Sequence, residues 1–224
     1  MEAVYQSEEV LRGVSPAAVL HLLQESASQH QTALGTGREE MSRRGLLWMI
    51  VCQKLVFDRL PFCGEKVIVN TWLSEARHGM YLRHYEMLEA NGAVICRAIA
   101  EWTLVDAEKR TLARLSLPVP LTRREDQLPR FHLLRSAETE REFSFTVPQA
   151  YLDENGHMNN ARYFDAVRSI LPKDGILRTA QVDYHLEACE GETLTIGYAA
   201  QESDFFIQAK SDRGLCFRMK LTYE

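Results

Sequence analysis

The same order of elements is written into the chain twice, and that repetition limits the folds open to it more than any other feature. In the first copy "VSPAAVLHLLQESASQH" reads as a helix: Ser15 caps it, Pro16 suits its first turn, and Val19, Leu22, Leu23 and Ala27 recur along one face. Gly35 and Gly37 end it. Strand texture follows in "LLWMIVCQKLVF", "KVIVNTWLS", "MYLRHYEML" and "AVICRAIAEWTLV", with turns at Gly64, His78-Gly79 and Asn91-Gly92. In the second copy a strand "EFSFTVP", a polar loop and a predicted helix "NARYFDAVRSI" precede "RTAQVDYHL", "TLTIGYAAQ", "DFFIQAK" and "LCFRMKLTYE". "FDRLPFCGEKVIVNTW" in one half answers "YHLEACEGETLTIGYA" in the other. A period of about 140 residues is far longer than a solenoid repeat, so two copies of one fold are expected.

Within each copy a long antiparallel sheet must bury one face, and the helix is the other layer available to it. The expected class is therefore α+β, with a first unit over 1–106 and a second over 141–224. Between them 107–140 breaks the strand texture at Pro118, Pro120 and Pro129. Lys109, Arg110, Arg114, Arg123, Arg124, Arg130 and Arg135 make this linker basic, either as a solvated surface or as a docking patch for an acidic partner.

Composition narrows the class of protein. Of 224 residues, 46% are hydrophobic and 25% charged, as in an ordinary globular chain. A net charge of -5 argues against nucleic acid as a partner. No apolar run approaches the roughly 20 residues that span a bilayer, and "MEAVYQSEEVLRG" lacks a signal peptide's pattern, so a cytoplasmic protein without membrane insertion is expected. The five cysteines form no C-x-x-C pair and point to buried thiols. No metal-ligand spacing, nucleotide loop or serine elbow is present, and no cofactor is expected.

What remains is "YLDENGHMNNARYF". Asp153, Asn155 and His157 alternate, so an extended segment would present all three on one side. The helix predicted next would add backbone N–H groups favouring charge on a bound oxygen. His moves protons near neutral pH, Asp can hold its ring, and Asn can donate to a carbonyl or a water. The same residues also suit a plain Asx turn with Asn159 or Asn160 as a cap. The matching entry to the first helix, "RGVSPAAVL", makes its turn without such a cluster, so the second loop holds more polar residues than the architecture needs.

With "LDENGHMNNARYF", then "VDYHLEACEGETL", and earlier "FDRLPFCGEKVIVNTWLSEARHGMYLRHYEM", nearly the whole chain resembles the acyl-ACP thioesterases, a double-hotdog family. Trp48, Asp58, Arg59, Pro61 and Gly64 match its first half. The resemblance implies two tandem hotdog units, each a helix wrapped by a long antiparallel sheet. It further implies hydrolysis of the thioester joining a fatty acyl chain to acyl carrier protein, which ends chain elongation. It puts Asp153, Asn155 and His157 at the family's loop positions and Glu187 at that of an acid on the following strand. On this view Glu187 is the candidate base, His157 orients water or protonates the thiolate, and Asp153 steers His157. Met158 replaces the family's Val, and Ala188 stands where it commonly has Cys, with Cys189 one place later, which favours direct attack by water over a cysteine nucleophile.

The first half, lacking the polar set, is expected to help form the acyl pocket, with Trp48, Met49 and Trp72 as lining or ordinary core. The linker and Arg43-Arg44 are candidate contacts for the acidic carrier protein. By analogy with double-hotdog proteins, a homodimer is expected. Competing readings are an acyl-CoA thioesterase, a hotdog dehydratase with Glu25 as its opposing acid, and a non-catalytic acyl-carrier binder.

Overall fold

A computed structural model of the chain describes residues 3–113, 115–172 and 175–224; Arg114 of the basic linker lies outside them. The first strand, β1 (Val4–Val10), carries no strand signature in its sequence, because Gln6, Ser7, Glu8 and Glu9 hide any apolar alternation. It is an edge strand, where one face and one side meet water. The first helix, α1 (Pro16–Ala33), starts where expected: the Ser15 Oγ accepts the Ala18 N–H at 3.2 Å. Val19, Leu22, Leu23 and Ala27 are all buried. A short helix, α2 (Arg38–Arg43), then leads into β2 (Leu46–Phe57), β3 (Lys66–Arg77), β4 (Met80–Leu88) and β5 (Val94–Asp106). The second half holds β6 (Arg141–Thr146), α3 (Arg162–Ala166), a 3-10 turn (Arg168–Ile170), β7 (Leu177–Tyr184), β8 (Thr193–Gln201), β9 (Asp204–Ser211) and β10 (Gly214–Tyr223).

The strands form one antiparallel sheet in the order β1-β3-β4-β5-β2-β7-β10-β9-β8-β6. Counted inward from its edge, each half repeats the same order, and the halves meet where β2 pairs with β7, with Cys52 opposite Asp183 and Val56 opposite Thr179. The two units thus share a single sheet. Their correspondence extends to hydrogen bonds. Leu11 and Val147 each donate to the carbonyl of a glutamate, Glu65 or Glu192, and accept from the glycine before it, Gly64 or Gly191. Both glycines have positive φ, +86° and +72°, a turn conformation that costs a side-chain-bearing residue strain.

The linker crosses the face of the sheet opposite α1. Arg83 on β4 reaches His30 of α1, whereas His84 and Glu86, alternating with it, face the linker. Along its path Thr122 donates to the Leu73 carbonyl, Gln127 accepts from the Trp72 indole, His132 accepts from Gln181, and Leu134 accepts from Arg218. It thereby bridges β3, β7 and β10. Its arginines pair with acids of the sheet: Arg123 with Glu75, Arg124 with Glu86, and Arg130 with Glu75 and Glu101. Much of the linker's positive charge is thus matched locally. Trp72, expected as pocket lining or core, lies under this strap, with the Arg124 guanidinium 4.7 Å above its ring. Trp48 instead packs edge-on against Tyr81 and Trp102 and donates to the Thr36 carbonyl.

Candidate active site

The segments from Leu11 to β2 and from Val147 to β7 are of similar length, but they are used differently. In the first half most of it winds into α1. In the second, 148–161 holds only a single 3-10 turn (Gln149–Tyr151) followed by a loop, and five residues of α3 are what remains of the helix. The predicted helix over "NARYFDAVRSI" is therefore broken. Ala161 supplies no side-chain cap, and Pro172 holds Leu171 extended at φ -77° and ψ 149°. With one short turn beginning after the polar residues, the expected stabilisation of a bound oxygen by a helix start does not arise here.

Asp153 organises the loop through main-chain groups. Its Oδ1 accepts the Asn155 and His157 N–H groups at 2.8 and 3.2 Å, and its Oδ2 accepts from the Asn155 amide at 3.2 Å. Its own N–H donates to the His157 carbonyl at 2.7 Å, and Gly156 completes the turn at φ +78°. Asp153, Asn155 and His157 are thus neighbours in a tight loop, not along an extended strand. Farther on, the Asn159 side chain accepts the Ala161 N–H, and the Asn160 carbonyl accepts the Tyr184 hydroxyl. Both asparagines shape the descent into α3.

The partner of the His157 ring is Glu187, not Asp153. His157 Nδ1 lies 3.3 Å from Glu187 Oε1, with the two side chains 23% and 29% exposed, so water can reach both. Glu187 sits beyond the end of β7, in the loop to β8. A bridge between His157 and Cys189 and a bond from the Met158 N–H to the Ala188 carbonyl bring the two loops together. Ala188 is buried, while Cys189 is partly exposed and its Sγ lies 4.0 Å from Arg213 Nη2. Arg213 grips both oxygens of Glu192 and holds that carboxyl down at about 2; Glu192 in turn accepts the Cys189 N–H.

Two arginines from outside the second unit reach this site, Arg38 of the first half and Arg110 of the linker. Arg38 on α2 bonds the Asn155 side-chain oxygen at 2.9 Å and pairs with Glu154, and Arg110 pairs with Glu187 Oε2. Sequence reasoning assigned neither contact. Arg110 stood among the linker's basic residues, and no spacing rule connects it to a glutamate in the second half. Beside the site an open cleft of about 860 Å³ runs between α1 and the second-half loop, lined by His21, Leu22 and Glu25 on one side and Leu152, Asn159 and Arg162 on the other. Among the described residues no cluster could hold a metal ion.

One sheet shared by two repeats, with a helix laid on it in each half, defines the double-hotdog class. The chain belongs to the acyl-ACP thioesterase family: residues 3–118 match the family's N-terminal domain and residues 134–223 its C-terminal domain. It is 26% identical over 191 residues to a chloroplastic acyl-[acyl-carrier-protein] hydrolase of Cuphea viscosissima, covering 76% of this chain and 46% of the relative. The chain thus spans about half the length of the curated relatives it matches. Its fold is that of an acyl-ACP thioesterase from Bacteroides thetaiotaomicron, with a TM-score of 0.88 at 17% identity over 99% of this chain and 98% of the other. It is also that of a 12:0-ACP thioesterase from Umbellularia californica, with a TM-score of 0.81 at 18% identity over 100% and 98%.

Proposed function

We propose that the protein hydrolyses the thioester of fatty acyl-acyl carrier protein, releasing the free fatty acid. The observation that carries this reading is the His157–Glu187 contact beside Asn155, open to water and next to a cleft formed by both halves. Membership of the family supports the substrate class. In this reading the second unit, 141–224, supplies the reacting groups, the first, 1–106, helps hold the acyl chain, and 107–140 joins them.

The geometry favours His157 over Glu187 as the base. Both Glu187 oxygens already have a partner, Arg110 or the His157 Nδ1, which leaves the His157 Nε2 to act on water. Asn155 has one amide N–H engaged by Asp153 and a second to donate to the thioester carbonyl. Water adds to the carbonyl carbon as His157 takes its proton. The oxyanion then collapses, the C–S bond breaks, and the proton passes to the departing sulfur. Glu187 steadies the imidazolium formed in between.

The test follows thiol and fatty-acid release from acyl-ACP and acyl-CoA panels of varied chain length. Hydrolysis is expected on acyl-ACP, and His157→Ala and Asn155→Ala should each lower kcat by about 100-fold. No release from any substrate would overturn the reading, and release from acyl-CoA alone would transfer it to that carrier. A cytoplasmic setting and a homodimer belong to the same proposal, checked by cell fractionation and light scattering. Among the described residues no helix is long and apolar enough to cross a membrane. A dehydratase is less well supported, because the acid beside His157 is Glu187, 3.3 Å away, and not Glu25, which lines the cleft.

A further inference from the structure

We infer that Arg110, at the start of the linker, is a positioning residue for the second half's His157–Glu187 pair and fixes which nitrogen of His157 faces the substrate. The inference deepens the proposed hydrolysis and rests on that reading for its catalytic consequence.

The turn after β5 is built to deliver this side chain. Asp106 Oδ1 accepts the Glu108 and Lys109 N–H groups at 3.1 and 2.8 Å, and its carbonyl accepts the Arg110 N–H at 2.9 Å. The Asp106 N–H closes the turn on the Thr111 carbonyl. Arg110 itself has φ +53°, a left-handed conformation that Gly or Asn adopts with less strain. Backbone preference therefore does not account for an arginine here. Its guanidinium crosses to the second half and meets Glu187 Oε2.

Glu187 depends on that contact for its orientation. Its side chain is 29% exposed, and among the described residues the carboxylate has two partners, Arg110 on Oε2 and His157 on Oε1. With Arg110 holding one oxygen, the other stays 3.3 Å from Nδ1, where its charge favours the imidazole proton on that nitrogen and leaves Nε2 as the acceptor. Without Arg110 the carboxylate can rotate into solvent, and His157 is released to either tautomer. The other charged groups around the pair act elsewhere: Arg213 on the Glu187 carbonyl and Glu192, Asp153 on the His157 main chain, and Arg38 on Asn155 and Glu154.

The experiment uses the full chain labelled with 15N, as wild type, Arg110→Gln and Arg110→Lys, with the His157 signals assigned from His157→Gln. Long-range imidazole spectra should show the Nδ1–H tautomer in wild type and Arg110→Lys, and a mixture in Arg110→Gln. In parallel, Arg110→Gln should lose about tenfold in kcat with KM within about twofold, and Arg110→Lys should recover most of it. An unchanged tautomer in Arg110→Gln would overturn the inference. So would a loss confined to KM, which would make Arg110 a substrate contact. If wild type hydrolyses nothing, the proposed function fails, while the spectra still decide the role of Arg110.

Discussion

Asp153 acts on the backbone of its loop and not on the imidazole that follows it. Three of its contacts are accepted from Asn155 and His157, so removing the carboxylate releases both residues together. Asp153→Ala should lower kcat by about tenfold or more, with a modest loss of stability of about 1 kcal/mol. Asp153→Asn keeps an oxygen for the two main-chain donors and should retain most activity, as steady-state kinetics beside thermal unfolding would reveal. Cys189→Ala should leave kcat within about threefold, since His157 meets Glu187 and not the thiol; a loss as deep as that of His157→Ala would restore a cysteine mechanism. Asp153, Asn155 and His157 could be named from sequence because the first repeat makes its turn without them. Glu187 entered only through the family resemblance, since a single glutamate in a strand-to-strand loop has no local signature.

At the scale of elements, the two helices show what the repeat holds constant and what it does not. α1 begins at a Ser15–Pro16 signal that acts over one turn, which is why its start was legible. Ser15→Ala should cost about 1 kcal/mol in urea unfolding, with unchanged m-value. A cost near zero would mean that packing alone sets the start of α1. α3 was overestimated for the converse reason. Its apolar residues do face the core, with Tyr163, Phe164 and Val167 buried, but burial at helical spacing also occurs in a short turn followed by a 3-10 turn. The loop takes the chain length that would have made more helix. β1 was missed because an edge strand needs little apolar patterning once its partner β3 provides the ladder.

For the molecule as a whole, the joined sheet and its strap matter most. His84 is buried beneath the linker, stacked on Trp72 and bonded through Nε2 to the Ser74 hydroxyl at 2.8 Å. Burial pushes it down from 6.5 to about 4. Between those values the unfolded chain binds a proton that the native chain does not, so stability should fall as pH drops from 6.5 to 4, by up to about 3 kcal/mol. Urea titrations between about pH 7 and about pH 4.5 should show the decline in wild type. A flatter profile is expected for His84→Gln, and equal slopes would rule out His84 as the cause.

What is local or periodic is legible in the amino-acid order alone: the helix start, the strands rich in β-branched and aromatic residues, the doubled order of elements, and a polar loop in excess of what a turn requires. These follow from spacing and from backbone preferences that act within a few residues. How the halves join, and which side chains meet across them, follows from the folded arrangement. The pairing of β2 with β7, the linker laid over the sheet, the turn of His157 toward Glu187, and the reach of Arg38 and Arg110 into the second half all depend on contacts between distant positions. Such contacts are selected by packing and charge in three dimensions, and a one-dimensional pattern does not encode them in any single stretch.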